Sequence, residues 1–121
     1  MKVKINTKEK MHVITIEEDE LTANMTEQLI EQVQSYLNAT IQNVILVFSS
    51  VRKINTDSLE LLLALQQSFY KKGHSMVFCE FQPTVKNILH QHHFIDKMNI
   101  TATETEAWDI VQMEEIEREL S

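Results

Sequence analysis

Five apolar residues in unbroken succession, Val44, Ile45, Leu46, Val47 and Phe48, constrain this chain more than any other feature. A strand with one wet face alternates apolar and polar side chains, so a run without alternation has to be covered on both faces. A parallel sheet with helices packed over it provides that cover. After the polar stretch SSVRKINTDS, a helix from about Asp57 to Lys72 sets Leu59, Leu62, Leu63, Phe69 and Tyr70 along one stripe. The only glycine, Gly73, stands where that helix must close. Leu61 and Leu65 extend beyond the stripe, a surplus that either the interior or a partner can take up. The turn Asn55 to Ser58 therefore lies at a strand's carboxyl end beside a helix amino terminus, where α/β folds gather ligand and partner chemistry.

The flanking text completes an α/β pattern. Val3 and Ile5 alternate with polar neighbours, and Met11 to Ile16 follows the NTKEK turn, which predicts an opening hairpin. Asn24 with Glu27 has capping-box spacing and opens a helix over about Met25 to Asn38, with Leu29, Ile30, Val33 and Leu37 on one face. Met76 to Phe81 is the next strand, and Pro83 suits the first turn of a helix that turns Val85, Ile88 and Leu89 inward. Met98 to Ile100 is a short last strand. Thr103 with Glu106 is a second capping box, opening a helix in which Ala107, Ile110, Val111, Met113, Ile116 and Leu120 are expected to face the body. Strand and helix alternate three times from Asn43, which implies right-handed crossovers and a mixed, mostly parallel sheet of four to five strands with about four helices.

Length and charge narrow the function. The 121 residues suit one domain, 1–121, with one core. Eleven Lys and Arg against eighteen Asp and Glu give a net charge of −7, the wrong sign for a nucleic-acid binder. A single cysteine, Cys79, allows no disulfide within the chain, and no segment approaches the roughly 20 apolar residues of a membrane span, so a cytoplasmic protein is expected. One glycine excludes glycine-rich phosphate loops.

Asn55, Thr56, Asp57 and Ser58 can all accept hydrogen bonds from first-turn N–H groups, so helix capping and a site role are both open and can coexist. His90, His92 and His93 read as a solvated helix end rather than a metal site, although His90 and His93 could share a helical face. No cofactor is expected. Cys79 reads as a small buried hydrophobe, Trp108 as either core or interface, and Glu114, Glu115, Glu117 and Glu119 as a solvated face. No Ser-His-Asp or Cys-His set can be assembled from spacing, which leaves catalysis the weakest of the broad readings.

The segment VILVFSSVRKINTDSLELLLALQQSFYKKGHSMVFCEF, followed by QPTVKNILHQHHFIDKM and TETEAWDIVQMEEIEREL, resembles the STAS domain of bacterial anti-sigma factor antagonists. In that family an apolar strand leads to an Asp-Ser-Ser-Gly type turn, a leucine-rich helix, a glycine and another strand. The resemblance implies a protein-binding switch in which a turn serine is phosphorylated by an anti-sigma factor that is also a serine kinase. Position by position, Asn55 stands at the aspartate, Thr56 at the first serine, Asp57 at the usual phosphoacceptor and Ser58 at the glycine, while Val47 replaces an acidic strand residue. Asp57 carries about half the charge of a phosphate, a partial imitation of the modified state. The expectation is a non-enzymatic regulator that binds an anti-sigma factor or related serine kinase-like protein, with a homodimer also possible. The alternatives are a module responding to a small molecule or lipid head group, or a structural subunit of a regulatory complex.

Overall fold

In the computed structural model, which describes residues 1–38 and 40–121, the order is β1 (Val3–Thr7), β2 (Met11–Ile16), β3 (Glu20–Leu21), α1 (Ala23–Tyr36), β4 (Asn43–Val47), β5 (Lys53–Ile54), α2 (Thr56–Lys71), β6 (Met76–Cys79), α3 (Pro83–Gln91), β7 (Ile100–Thr101) and α4 (Glu104–Leu120). Five strands form the main sheet in the order β1-β2-β4-β6-β7. The β1–β2 hairpin is antiparallel and every later pairing is parallel. The expected mixed, mostly parallel sheet with four helices is the observed one.

Strand periodicity divides the core in two. Ile14 and Ile16 of β2, Val44, Leu46 and Phe48 along β4, and Met76 and Phe78 of β6 pack with α1, α2 and α3. Met11, Val13, Ile45, Val47, Val77 and Cys79 point the other way, beneath Ala107 and Val111 of α4. β4 is therefore sealed on both faces, and Ile45, Leu46 and Val44 have no exposed surface. Each such side chain contributes about 1.5–3 kcal/mol of transfer free energy.

A polar network at the amino ends of the strands seats α4. Asn43 donates to Glu115 at 2.7 Å and accepts from the Ser75 N–H at 2.8 Å. Ser75 donates to Glu114 at 2.6 Å, and Tyr70 donates to the same carboxylate at 2.7 Å. Arg118 reaches Ser75 at 2.7 Å and lies 3.4 Å from Glu115. Glu114 and Glu115 are thus fastened to the body rather than spread on a solvated face. Burial, reinforced by Glu114, raises the Tyr70 hydroxyl above its ordinary range and keeps it a donor.

Several sequence expectations are corrected. Thr22, not Asn24, caps α1, its hydroxyl accepting from the Met25 N–H at 3.3 Å, so the helix starts and ends about two residues early. Asn38 lies past the helix, where its side-chain oxygen accepts from the N–H groups of Thr40 and Ile41. On α2, Leu65 belongs to the buried face, while Leu63 and Tyr70 are only partly covered. β6 stops at Cys79 because Glu80 adopts φ 61°, and Met98 is buried just ahead of the short β7. Met113, Ile116 and Leu120 do not face the body; they are 58%, 56% and 83% exposed. The small parallel pair β3–β5 was not anticipated.

Helices α2 and α3 close alike. After α2 the His74 N–H bonds the Phe69 carbonyl at 2.9 Å, with Gly73 at φ 77°. After α3 the Phe94 N–H bonds the Leu89 carbonyl at 2.8 Å, with His93 at φ 61° in glycine's place. His93 thus turns out of the helix and does not share a face with His90. A non-glycine residue in this region costs about 1–3 kcal/mol, while glycine costs about 0.4–1 kcal/mol through the unfolded chain. His93→Gly is expected to stabilise the protein by about 1 kcal/mol, read from urea unfolding midpoints.

His12 supplies a second test. It is buried on β2, its Nδ1 lies 2.9 Å from the Thr7 hydroxyl, and its Nε2 has no hydrogen-bond partner among the described residues. Burial lowers its pKa below 6.5, outweighing the nearby Ile41 and Tyr36 carbonyls, which favour the proton without reaching bonding geometry. The unfolded chain therefore binds the proton more readily than the native one. Stability is complete above the unfolded value of 6.5 and declines as pH falls below it. Between pH values of about 7.5 and 5.5, wild type should lose more stability than His12→Gln; parallel losses would assign the effect to other groups.

Candidate regulatory site at the start of helix α2

The two-residue ribbon β3–β5 positions the start of α2. The N–H groups of Arg52 and Lys53 bond the Asp19 carbonyl at 2.8 and 3.2 Å, and the Asn55 N–H bonds the Leu21 carbonyl at 3.2 Å. Leu21 and Ile54 are buried in the main core, so backbone pairing and apolar anchoring fix the same turn. An exposed pair between Arg52 and Asp19, 3.4 Å apart, braces its outer edge. Asn55 is the N-cap, and its carbonyl accepts from the N–H groups of Ser58 and Leu59 at 3.0 and 3.3 Å.

The four residues expected at the site divide by direction. Ser58 has no exposed surface, and its hydroxyl donates to the Leu21 carbonyl at 3.2 Å. Asn55 and Asp57 are exposed, and Thr56 is half-buried. Asn55 makes no side-chain cap bond, unlike Thr22 at α1 and Thr103 at α4. Capping thus accounts for the Asn55 backbone but leaves its amide group free to meet something else. Asp57 sits in the first turn, where a carboxylate is favoured by the helix dipole.

Beside these residues is an open depression of about 430 Å³, lined by Ile54, Asn55, Thr56, Asp57, Ile88 and His92. Sequence reasoning missed Ile88 and His92 as its walls. Ile88 was read only as an inward helix residue, and nothing in the chain's spacing brings the end of α3 to the start of α2. Val47 lies in the apolar layer beneath α4 at 3% exposure, so an acidic side chain there would enter the core.

Among the described residues no group of three His, Cys, Asp or Glu side chains is placed to hold a metal, and His90, His92 and His93 are exposed at the end of α3. Burial, with Glu80 and Glu104 nearby, pushes the Cys79 thiol up to about 12, which keeps it protonated and inert. Trp108 is half-buried, donates to Glu104 at 3.2 Å and lies under Lys8, with Nζ 5.4 Å from the ring centre. Among the described residues no helix is long and apolar enough to cross a membrane.

Residues 2–107 match the STAS domain family. This chain is a STAS domain. No curated protein sequence matches it. Among solved structures, a candidate anti-sigma factor antagonist of Thermotoga maritima is 19% identical over 91% of this chain and 94% of its own, with a TM-score of 0.75. Unphosphorylated SpoIIAA, the Bacillus anti-sigma factor antagonist, is 18% identical over 92% of this chain and 98% of its own, with a TM-score of 0.66. The murine anion transporter Slc26a9 is 15% identical over 89% of this STAS domain but only 18% of its own chain, with a TM-score of 0.73. Identities this low speak for the fold.

Ser58 provides a direct test of the frame. Because the Leu21 carbonyl keeps its bond from the Asn55 N–H, removing the hydroxyl orphans no buried group, and Ser58→Ala should cost only about 0.5–1.5 kcal/mol in urea unfolding. A loss several times larger would show that the ribbon depends on Ser58 for more than this bond.

Proposed function

We propose that this STAS domain, acting as one unit over residues 1–121, is a non-enzymatic regulatory module of the anti-sigma factor antagonist kind. It docks a protein partner on Asn55, Thr56 and Asp57, with Ser58 as the internal tie that holds them in place. The observation that carries this reading is the split at the start of α2, where Ser58 is spent on the Leu21 carbonyl while the side chains of Asn55 and Asp57 face solvent without a capping role for Asn55. Polar side chains held on a rigid strand–helix junction are suited to recognition.

Asp57 stands where the family resemblance puts the phosphoacceptor. A carboxylate there supplies a permanent negative charge at the helix amino terminus, smaller than that of a phosphate and not reversible by a phosphatase. SpoIIAA has been solved in unphosphorylated and phosphorylated forms, which supports a phosphorylation switch in that protein. In this chain the same surface is read as locked. Its partner is an anti-sigma factor or a related serine kinase-like regulator that tolerates or requires the carboxylate, in a cytoplasmic setting without nucleic acid. The neighbouring depression is open to solvent, unlike the enclosing clefts that bury most of a small ligand, which favours protein docking over a metabolite.

Affinity capture of wild type and Asp57→Ser from native lysate, followed by intact-mass analysis, tests the reading. A kinase-like anti-sigma factor should be retained, with phosphate added to the serine variant alone. With that partner purified, Asp57→Ala should weaken binding by about tenfold, equivalent to ~1.4 kcal/mol. Capture of no such factor together with absence of phosphate on both proteins would overturn the proposal.

A further inference from the structure

Helix α4 is apolar on two sides. Ala107 and Val111 face the sheet, and Met113, Ile116 and Leu120 recur at i, i+3 and i+7 on the outward side. These three are the exposed large hydrophobic residues among those described, at 58%, 56% and 83%. Single exposed apolar side chains are ordinary, whereas a stripe at helical spacing presents a continuous surface that a second helix can match.

The charges around the stripe indicate what fits it. Asp109 lies one turn before Met113 and Glu117 one turn after it, both exposed. Glu106 is also exposed, toward the start of the same helix. The helix's one basic residue, Arg118, is turned inward to Ser75, Glu114 and Glu115, and Lys10 approaches only Glu119, at 4.0 Å. The stripe is therefore bordered by carboxylates that lack a cation. A second copy would set like charges against each other, and an anionic membrane surface would do the same. A cationic helix satisfies both the apolar spacing and the charge.

We propose that the outward stripe of α4, Met113, Ile116 and Leu120 with Asp109 and Glu117 beside it, docks a basic amphipathic helix of a partner protein. The site lies across the sheet from Asn55 to Asp57, so the two surfaces can be engaged independently.

A fluorescein-labelled synthetic helix with leucines at i, i+3 and i+7 flanked by lysines serves as probe, beside a peptide in which glutamates replace the lysines. In fluorescence anisotropy the wild-type protein should bind the lysine peptide and not the glutamate one. Ile116→Ser with Leu120→Ser should weaken that binding at least tenfold, and Asp109→Lys with Glu117→Lys at least fivefold. Asp57→Ser should leave it unchanged. All four α4 positions are exposed, and circular dichroism checks that the variants fold; Met113→Gln is the substitute if the serine pair does not. Binding that survives loss of the apolar residues would reduce the surface to a charge effect and overturn the proposal. So would the absence of binding, dimers in sedimentation equilibrium that Ile116→Ser abolishes, or capture by phosphatidylglycerol vesicles in place of the peptide.

Discussion

Sealing of β4 on both faces is the constraint on which the rest of the molecule depends. Its side chains alternate between two apolar layers, Val44 and Leu46 beneath the first three helices and Ile45 and Val47 beneath α4. Truncation of a residue in either layer would leave a cavity in a close-packed interior, at about 2–5 kcal/mol for a leucine or isoleucine cut to alanine. Central placement of β4 between β2 and β6 also orients the loop that follows it. That loop leaves from an anchored position, because Val47 and Phe48 at the strand's carboxyl end are both buried.

The start of α2 shows how a small structural element turns a polar turn into a directed surface. The β3–β5 ribbon and the Ser58 bond both converge on the Leu21 carbonyl, fixing the rotation of the first helical turn. With Ser58 inward, its neighbour Asp57 must point elsewhere, because adjacent helix residues are about 100° apart. An exposed acid at this place is thereby a consequence of an interior bond. The same logic places His93 at the close of α3, where backbone geometry uses it in glycine's role.

Much of the fold was legible in the chain. The run from Val44 to Phe48 announced a buried strand, Gly73 closed the following helix, and Thr103 with Glu106 formed the expected capping pair, the Thr103 hydroxyl accepting from the Glu106 N–H at 3.2 Å. These signals are local, each set by side-chain type and spacing within one element. Thr22 displaced Asn24 as a cap because both are good cap residues and only the preceding β3 pairing settles where the backbone leaves its extended form. A strand of two residues shows no period, so β3 and β5 left no trace.

The outer face of α4 marks the limit most clearly. Met113, Ile116 and Leu120 were expected inward along with Ala107 and Val111, since a helix with apolar positions around most of its circumference does not say which of them the sheet covers. Only packing decided that Ala107 and Val111 are covered while Met113, Ile116 and Leu120 are not. By itself the sequence determined the order of the main-sheet strands and the helices, the α/β class and the turn at Asn55 to Ser58, because periodicity and capping act between residues close in the chain. Tertiary structure alone decided that Ser58 is buried and Asp57 exposed, that Ile88 and His92 stand beside them, and that α4 keeps an apolar face in solvent. Those outcomes rest on contacts between residues far apart in sequence, such as Ser58 with Leu21 and Glu114 with Tyr70 and Ser75, which no local pattern encodes.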